Sequence, residues 1–123
     1  MNQRIEEFKR DGKNFIYFDL SDFKTNDEYT AFTEASKERM AKYAAHSALT
    51  ITNIRNVWFD TETKTIIANW MKFNEHYVKC GAVIGFDGIK RMLVNAIFKL
   101  SGRKNMTFAS DKEQAIEYLL KQR

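Results

Sequence analysis

The chain has 123 residues, 44% of them hydrophobic and 29% charged, with a net charge of +4, one cysteine and no proline. That length supplies one self-sufficient core and leaves little for a second, so the chain reads as a single domain over residues 1–123. An internal disulfide, a low-complexity chain and an apolar run near the roughly 20 residues that span a bilayer are all excluded.

The polar, mixed-charge start from Met1 to Phe8 does not resemble a secretory signal, and a lone cysteine suits a reducing compartment, so a cytoplasmic protein is expected. Asp11-Gly12 separates two strand-like runs, Arg4–Arg10 and Asn14–Leu20, which predicts a β-hairpin. Thr25 and Glu28 have the spacing of a capping box. Tyr29, Phe32, Ser36, Met40 and Tyr43 then recur at steps of three and four, predicting an amphipathic helix that ends near His46-Ser47.

Ala48–Ile54 reads as a strand, and Asp60-Thr61 as the start of a second helix with Ile66, Ile67, Trp70, Phe73 and Tyr77 on its apolar face. Lys79–Gly85 has little alternation, as expected of a strand covered on both faces. The turn Gly85-Phe86-Asp87-Gly88 leads into a third helix with Ile89, Met92, Leu93, Ala96, Ile97 and Leu100 inward and Gly102 as its stop. A short strand at Asn105–Ala109 follows. Ser110 and Glu113 have capping-box spacing before a last helix carrying Ala115, Ile116, Leu119 and Leu120. The order predicts an α/β fold: a mixed, mostly parallel sheet with an N-terminal hairpin and four flanking helices.

Charge is unevenly spread. Residues 1–60 hold nine Lys/Arg against ten Asp/Glu, and residues 61–123 hold eleven against six. No acidic residue occurs from Ile89 to Ser110, where Lys90, Arg91, Lys99, Arg103 and Lys104 fall. Such a face suits a phosphate or an anionic membrane surface. Nucleic acid is disfavoured, because neither a recognised motif nor interleaved aromatics accompany the cations.

No catalytic residue is assigned. His46 and His76 lack metal-ligand spacing, Cys80 begins a buried strand, and neither a Ser-His-Asp order nor a Gly-x-Ser-x-Gly elbow occurs. The reading therefore includes no enzyme activity, no cofactor and no metal. The turn glycines Gly85 and Gly88, with Lys90, Arg91, Arg103 and Lys104, form a candidate anion site, since free N–H groups at a strand-to-helix turn attract negative charge. Its spacing matches neither the P-loop nor the dinucleotide fingerprint. Trp58, Phe59, Asp60, Thr61, Glu62 and Thr63 form a candidate partner- or ligand-binding segment at the sheet edge, where α/β proteins bind.

This element order, with the segment Leu49–Thr63 at its centre, resembles the STAS (anti-sigma-factor-antagonist-like) domain. The runs Tyr77–Gly85, Gly88–Arg91 and Phe98–Arg103 look like its SpoIIAA-like, or STAS/SEC14-like, branch, found mostly in bacteria. The resemblance spans nearly the whole chain and rests on hydrophobic pattern and turn glycines. It implies a non-enzymatic regulatory module that docks a protein partner or a second copy. Where regulatory STAS proteins carry Asp-Ser-Ser-Gly, this chain has Asp60-Thr61-Glu62-Thr63, so Glu62 stands in place of the usual phosphoacceptor serine. Asn53 replaces an earlier aspartate, one residue closer to Asp60 than is usual. The alternative function is a module for a lipid, acyl or nucleotide-like anionic ligand, walled by the aromatics and charged by Lys90, Arg91, Arg103 and Lys104. Peripheral membrane association through the basic face is a third.

Overall fold

The computed structural model describes residues 2–102 and 104–122. Five strands lie side by side in chain order: β1 (Ile5–Arg10), β2 (Lys13–Asp19), β3 (Ala48–Asn53), β4 (Val78–Ile84) and β5 (Met106–Phe108). β1 pairs antiparallel with β2, and every later pairing is parallel. The hairpin turn falls on Asp11 and Gly12, both left-handed at φ 54° and 78°. Positive φ at both central residues matches the right-handed twist of the strands it joins.

Four helices flank the sheet: α1 (Asn26–Met40), α2 (Thr61–Glu75), α3 (Gly88–Ser101) and α4 (Lys112–Leu120). The first three pack side by side on one face, with α2 in the middle. Tyr29, Phe32 and Met40 of α1, Ile67 and Trp70 of α2, and Val94 and Ile97 of α3 share a core with Ile16, Phe18 and Val83 of the sheet. The opposite face is covered by α4, whose Ala115, Ile116 and Leu119 meet Phe15, Leu49, Ile51, Ala82 and Ile84. Alternate residues of β3 and β4 thus enter different cores, which explains why both strands are buried along almost their whole length. The mixed, mostly parallel α/β sheet with its hairpin and four helices is the predicted architecture.

The helices differ from expectation in their detail. α1 stops at Met40, well short of His46-Ser47. The N–H groups of His46 and Ser47 instead donate to the carbonyls of His76 and Tyr77, and His46 is left-handed at φ 53°, so this segment is drawn into line with the entry to β4. Tyr43 lies beyond the helix, and its hydroxyl donates to Glu7 on β1 at 2.6 Å. On α2 the buried positions are Thr63, Ile67, Ala68, Trp70, Met71 and Asn74, while Ile66 and Phe73 are half-buried. Phe73 faces α1, where the Lys37 ammonium sits 5.5 Å from its ring centre. The cap of α4 is Asp111, not Ser110, and it accepts from the N–H of Gln114.

The largest difference is on α3. Its buried residues are Val94, Ile97 and Ser101. Ile89, Met92 and Leu100, expected inward, are 75%, 74% and 55% exposed. Two apolar arcs share this helix, and periodicity alone does not say which one docks. The arc through Val94 and Ile97 is the one that meets α2 and the sheet.

Candidate functional site

The loop after β3 is held from three directions. Ile54 N–H donates to the Ile84 carbonyl at the end of β4, and Asn56 turns the chain with φ 56°. The N–H of Trp58 donates to the Phe23 carbonyl at 2.9 Å, and the Trp58 carbonyl accepts from the Tyr29 hydroxyl at 3.0 Å. Phe59 stacks on the Tyr29 ring, with centroids 6.0 Å apart. Burial pushes the Tyr29 phenol far above its ordinary range, so its hydroxyl stays a proton donor at any physiological pH. The backbone of the loop is therefore rigid, while the Trp58 side chain is 43% exposed.

Asp60 then caps α2. Its carboxylate accepts from the Thr63 N–H at 2.8 Å, and the Thr63 hydroxyl lies within reach of the Asp60 N–H at 3.3 Å. The Thr63 N–H bond, helped by the Thr63 hydroxyl and Asn26, holds the Asp60 carboxyl below its usual value. Asn26, in the first turn of α1, donates to Glu62 at 3.1 Å and to Asp60 at 3.3 Å, and accepts from the Thr63 hydroxyl. The starts of α1 and α2 are thereby tied together.

Of the six candidate residues here, Trp58, Thr61 and Glu62 are exposed, and Phe59 and Asp60 are half-buried. Thr63 is fully buried, and its side chain belongs to the inside of the site. Replacing it with valine keeps the shape but removes the hydroxyl shared by Asp60 and Asn26. Thr63→Val is expected to cost about 1–3 kcal/mol, the range for unpairing a buried polar partner, read as a lower urea midpoint at unchanged slope. The supporting residues Phe23, Asn26 and Tyr29 escaped sequence reasoning. They lie some thirty positions upstream, and the one nearby signal is the capping box at Thr25.

The anion candidates are divided by the fold. Gly85, Gly88, Lys90 and Arg91 gather at the carboxyl end of β4 and the start of α3. There the Asp87 carboxylate takes the Lys90 N–H at 2.8 Å, and the Lys90 ammonium lies 3.4 Å from the same side chain. That N–H bond, with the Lys90 charge, holds the Asp87 carboxyl below its usual value. The Arg91 guanidinium covers the Phe108 and Phe86 rings, at 4.7 and 5.8 Å. Lys104 precedes β5 at the opposite end of the sheet, beside Lys79 and Tyr118. Arg103 lies outside the described residues.

Other features are quieter. Cys80 is buried, and burial pushes its thiol up. His46 and His76, far apart in sequence, come together with ring centres 6.2 Å apart. Among the described residues no group of three or more His, Cys, Asp or Glu is placed to hold a metal ion. An apolar cavity of about 40 Å³ lies between α2, α3 and the sheet, walled by Trp70, Met71, Val94, Ile97 and Phe98, with the unpaired side-chain amide oxygen of Asn74 buried beside it. It has room for water-sized groups and none for an acyl chain.

The five-stranded mixed sheet in this order, with three helices on one face and a fourth on the other, has the SpoIIAA-like, or STAS, fold, as two solved structures show. A solved structure of an uncharacterised DUF3478-family protein from Shewanella loihica, described as having a SpoIIAA-like fold, superposes with a TM-score of 0.71 at 13% identity, covering 94% of this chain and 91% of that one. An anti-sigma-factor antagonist (STAS) domain protein from Planctomyces limnophilus superposes with a TM-score of 0.61 at 11% identity, covering 94% and 97%. No family model and no curated protein matches the sequence. At these identities the likeness establishes the fold.

Proposed function

We propose that residues 1–123 form a single non-enzymatic binding module that docks a protein partner through the Trp58–Thr63 loop and the first turn of α2. The observation that carries this reading is the exposed Trp58 on a backbone pinned by Phe23, Tyr29 and the Asp60 cap. A half-exposed aromatic on a pinned backbone loses little backbone freedom on binding and fits the anchor role that tryptophan plays in protein interfaces. Thr61 and Glu62 flank it with polar, exposed side chains, which suits an interface rim. The likeness to an anti-sigma-factor antagonist domain supports a regulatory partner. Glu62 in the phosphoacceptor position supports docking that does not depend on phosphorylation there.

The alternative of a lipid, acyl or nucleotide-like ligand has less support. The interior cavity is small, and two of the cations meant to charge such a site, Lys90 and Lys104, lie at different ends of the sheet.

The test is a pull-down from the source cell with wild type, Trp58→Ala and Met92→Asp as baits, alongside native mass spectrometry of the purified protein. A partner retained by wild type and Met92→Asp, and weakened at least tenfold by Trp58→Ala, is the expected result. Retention that ignores Trp58, or a co-purifying small molecule with no protein partner, would overturn the proposal.

A further inference from the structure

Five large hydrophobic side chains stand most exposed among the described residues, and three of them, Ile89, Met92 and Leu100, are on α3. With exposed Ala96 and half-buried Leu93 they recur at steps of three, four and seven, forming one stripe along the outer side of the helix. From Ile89 to Leu100 that stripe runs roughly 16 Å at 1.5 Å per residue. The helix is anchored from behind by Val94 and Ile97, so the stripe is a fixed surface feature. Its ends are fixed too, by the Asp87 cap and by left-handed Gly102 at φ 76°.

Cations outnumber acids along this stretch of chain. Arg91, Lys99 and Lys104 are exposed, and no acidic residue falls from Ile89 to Ser110. Lys99 is exposed, two helical turns along the flank from Met92 and next in sequence to Leu100. Asp87 offsets Lys90 only, at the very start of the helix. A second copy of the same face would set these cations against each other across a two-fold axis. An anionic bilayer would instead pair them with lipid headgroups while the stripe enters the acyl boundary. No helix among the described residues is long and apolar enough to cross a membrane, so the geometry is that of a helix lying on the surface.

The geometry points to α3 as a docking face for an anionic membrane surface, inserted through Ile89, Met92 and Leu100 and steered by the cations around them. This surface is separate from the Trp58 loop, and neither depends on the other.

The experiment is flotation of the full chain with vesicles of phosphatidylcholine alone and of phosphatidylcholine with about 30% phosphatidylglycerol. Wild type is expected to float with the anionic vesicles and not with the neutral ones. Met92→Asp and Leu100→Asp, made singly, are each expected to weaken binding about tenfold or more, since each removes a large apolar side chain from the boundary. Lys99→Glu is expected to weaken it and reduce its salt dependence. Thermal melts of the variants at wild-type temperature confirm that they fold. Three outcomes would overturn the proposal. One is no flotation with either vesicle. Another is binding that Met92→Asp and Leu100→Asp leave unchanged. The third is a concentration-dependent dimer, abolished by Met92→Asp, in protein that ignores vesicles.

Discussion

Phe32→Ala is expected to lower the unfolding free energy by about 3–5 kcal/mol, the range for truncating a buried aromatic. Phe32 is fully buried on α1. Its ring meets three others edge-on: Phe18 at 5.9 Å, Phe23 at 5.7 Å and Trp70 at 5.8 Å. The cluster thus joins β2, α1, α2 and the segment between β2 and α1 in one packed unit. These rings are held from several elements, so they cannot collapse easily into the space left by a phenyl group, and cost rises with the cavity that remains. Total stability for domains of this kind is about 5–15 kcal/mol, so this single change removes a large share of it. Differential scanning calorimetry should show the midpoint falling by ten degrees or more, taking roughly 3–5 °C per kcal/mol at this size. A fall of only two or three degrees would mean that the cluster repacks and that the core is looser than its geometry says. Phe23 also carries the carbonyl that holds Trp58, so the loop should loosen along with the core.

Gly85→Ala is expected to cost about 2–4 kcal/mol, from left-handed backbone strain and a steric clash together. Gly85 has φ 79°, a region that side chains other than glycine enter only at a cost. A methyl group there would also lie 2.8 Å from the Arg55 backbone nitrogen and closer still to the Asn53 side-chain oxygen. The backbone atom cannot swing aside. Asn53 accepts from that same Arg55 N–H, so the clash would disturb the first turn of the loop that carries Trp58. Gly88→Ala is the matched control. Gly88 has no positive φ, opens α3, and has nothing within 4 Å of where a Cβ would sit. It should be neutral or stabilise by about 0.4–1 kcal/mol through the unfolded chain. Urea denaturation of the pair separates the two glycines of one turn, and equal effects would refute the assignment.

Much of the molecule is legible from residues alone. The hairpin needs Asp-Gly because two successive left-handed residues fit the twist of the strands, and it forms where that dipeptide stands. The box at Thr25 and the cap at Asp60 start helices because a side-chain oxygen satisfies a backbone N–H left over at each helix end. Alternation of strand and helix signals carries the parallel sheet, since parallel neighbours need a crossover between them. All of these are short-range effects, complete within a few residues of chain.

What the sequence by itself left open depends on which surfaces meet. α3 carries two apolar arcs with the same helical period, and only the packing of α2 and the sheet chose the Val94–Ile97 arc as the inner one. α1 ends at Met40 because His46 and Ser47 bond to His76 and Tyr77, partners thirty residues away. Phe23, Asn26 and Tyr29 support the Trp58 loop through contacts just as distant. Lys104 and Gly85, both in the basic half of the chain, lie at opposite ends of the strands because β4 and β5 run parallel. Local propensity determines where elements begin. Long-range packing decides which face of each is hidden, and so which residues are left outside to bind.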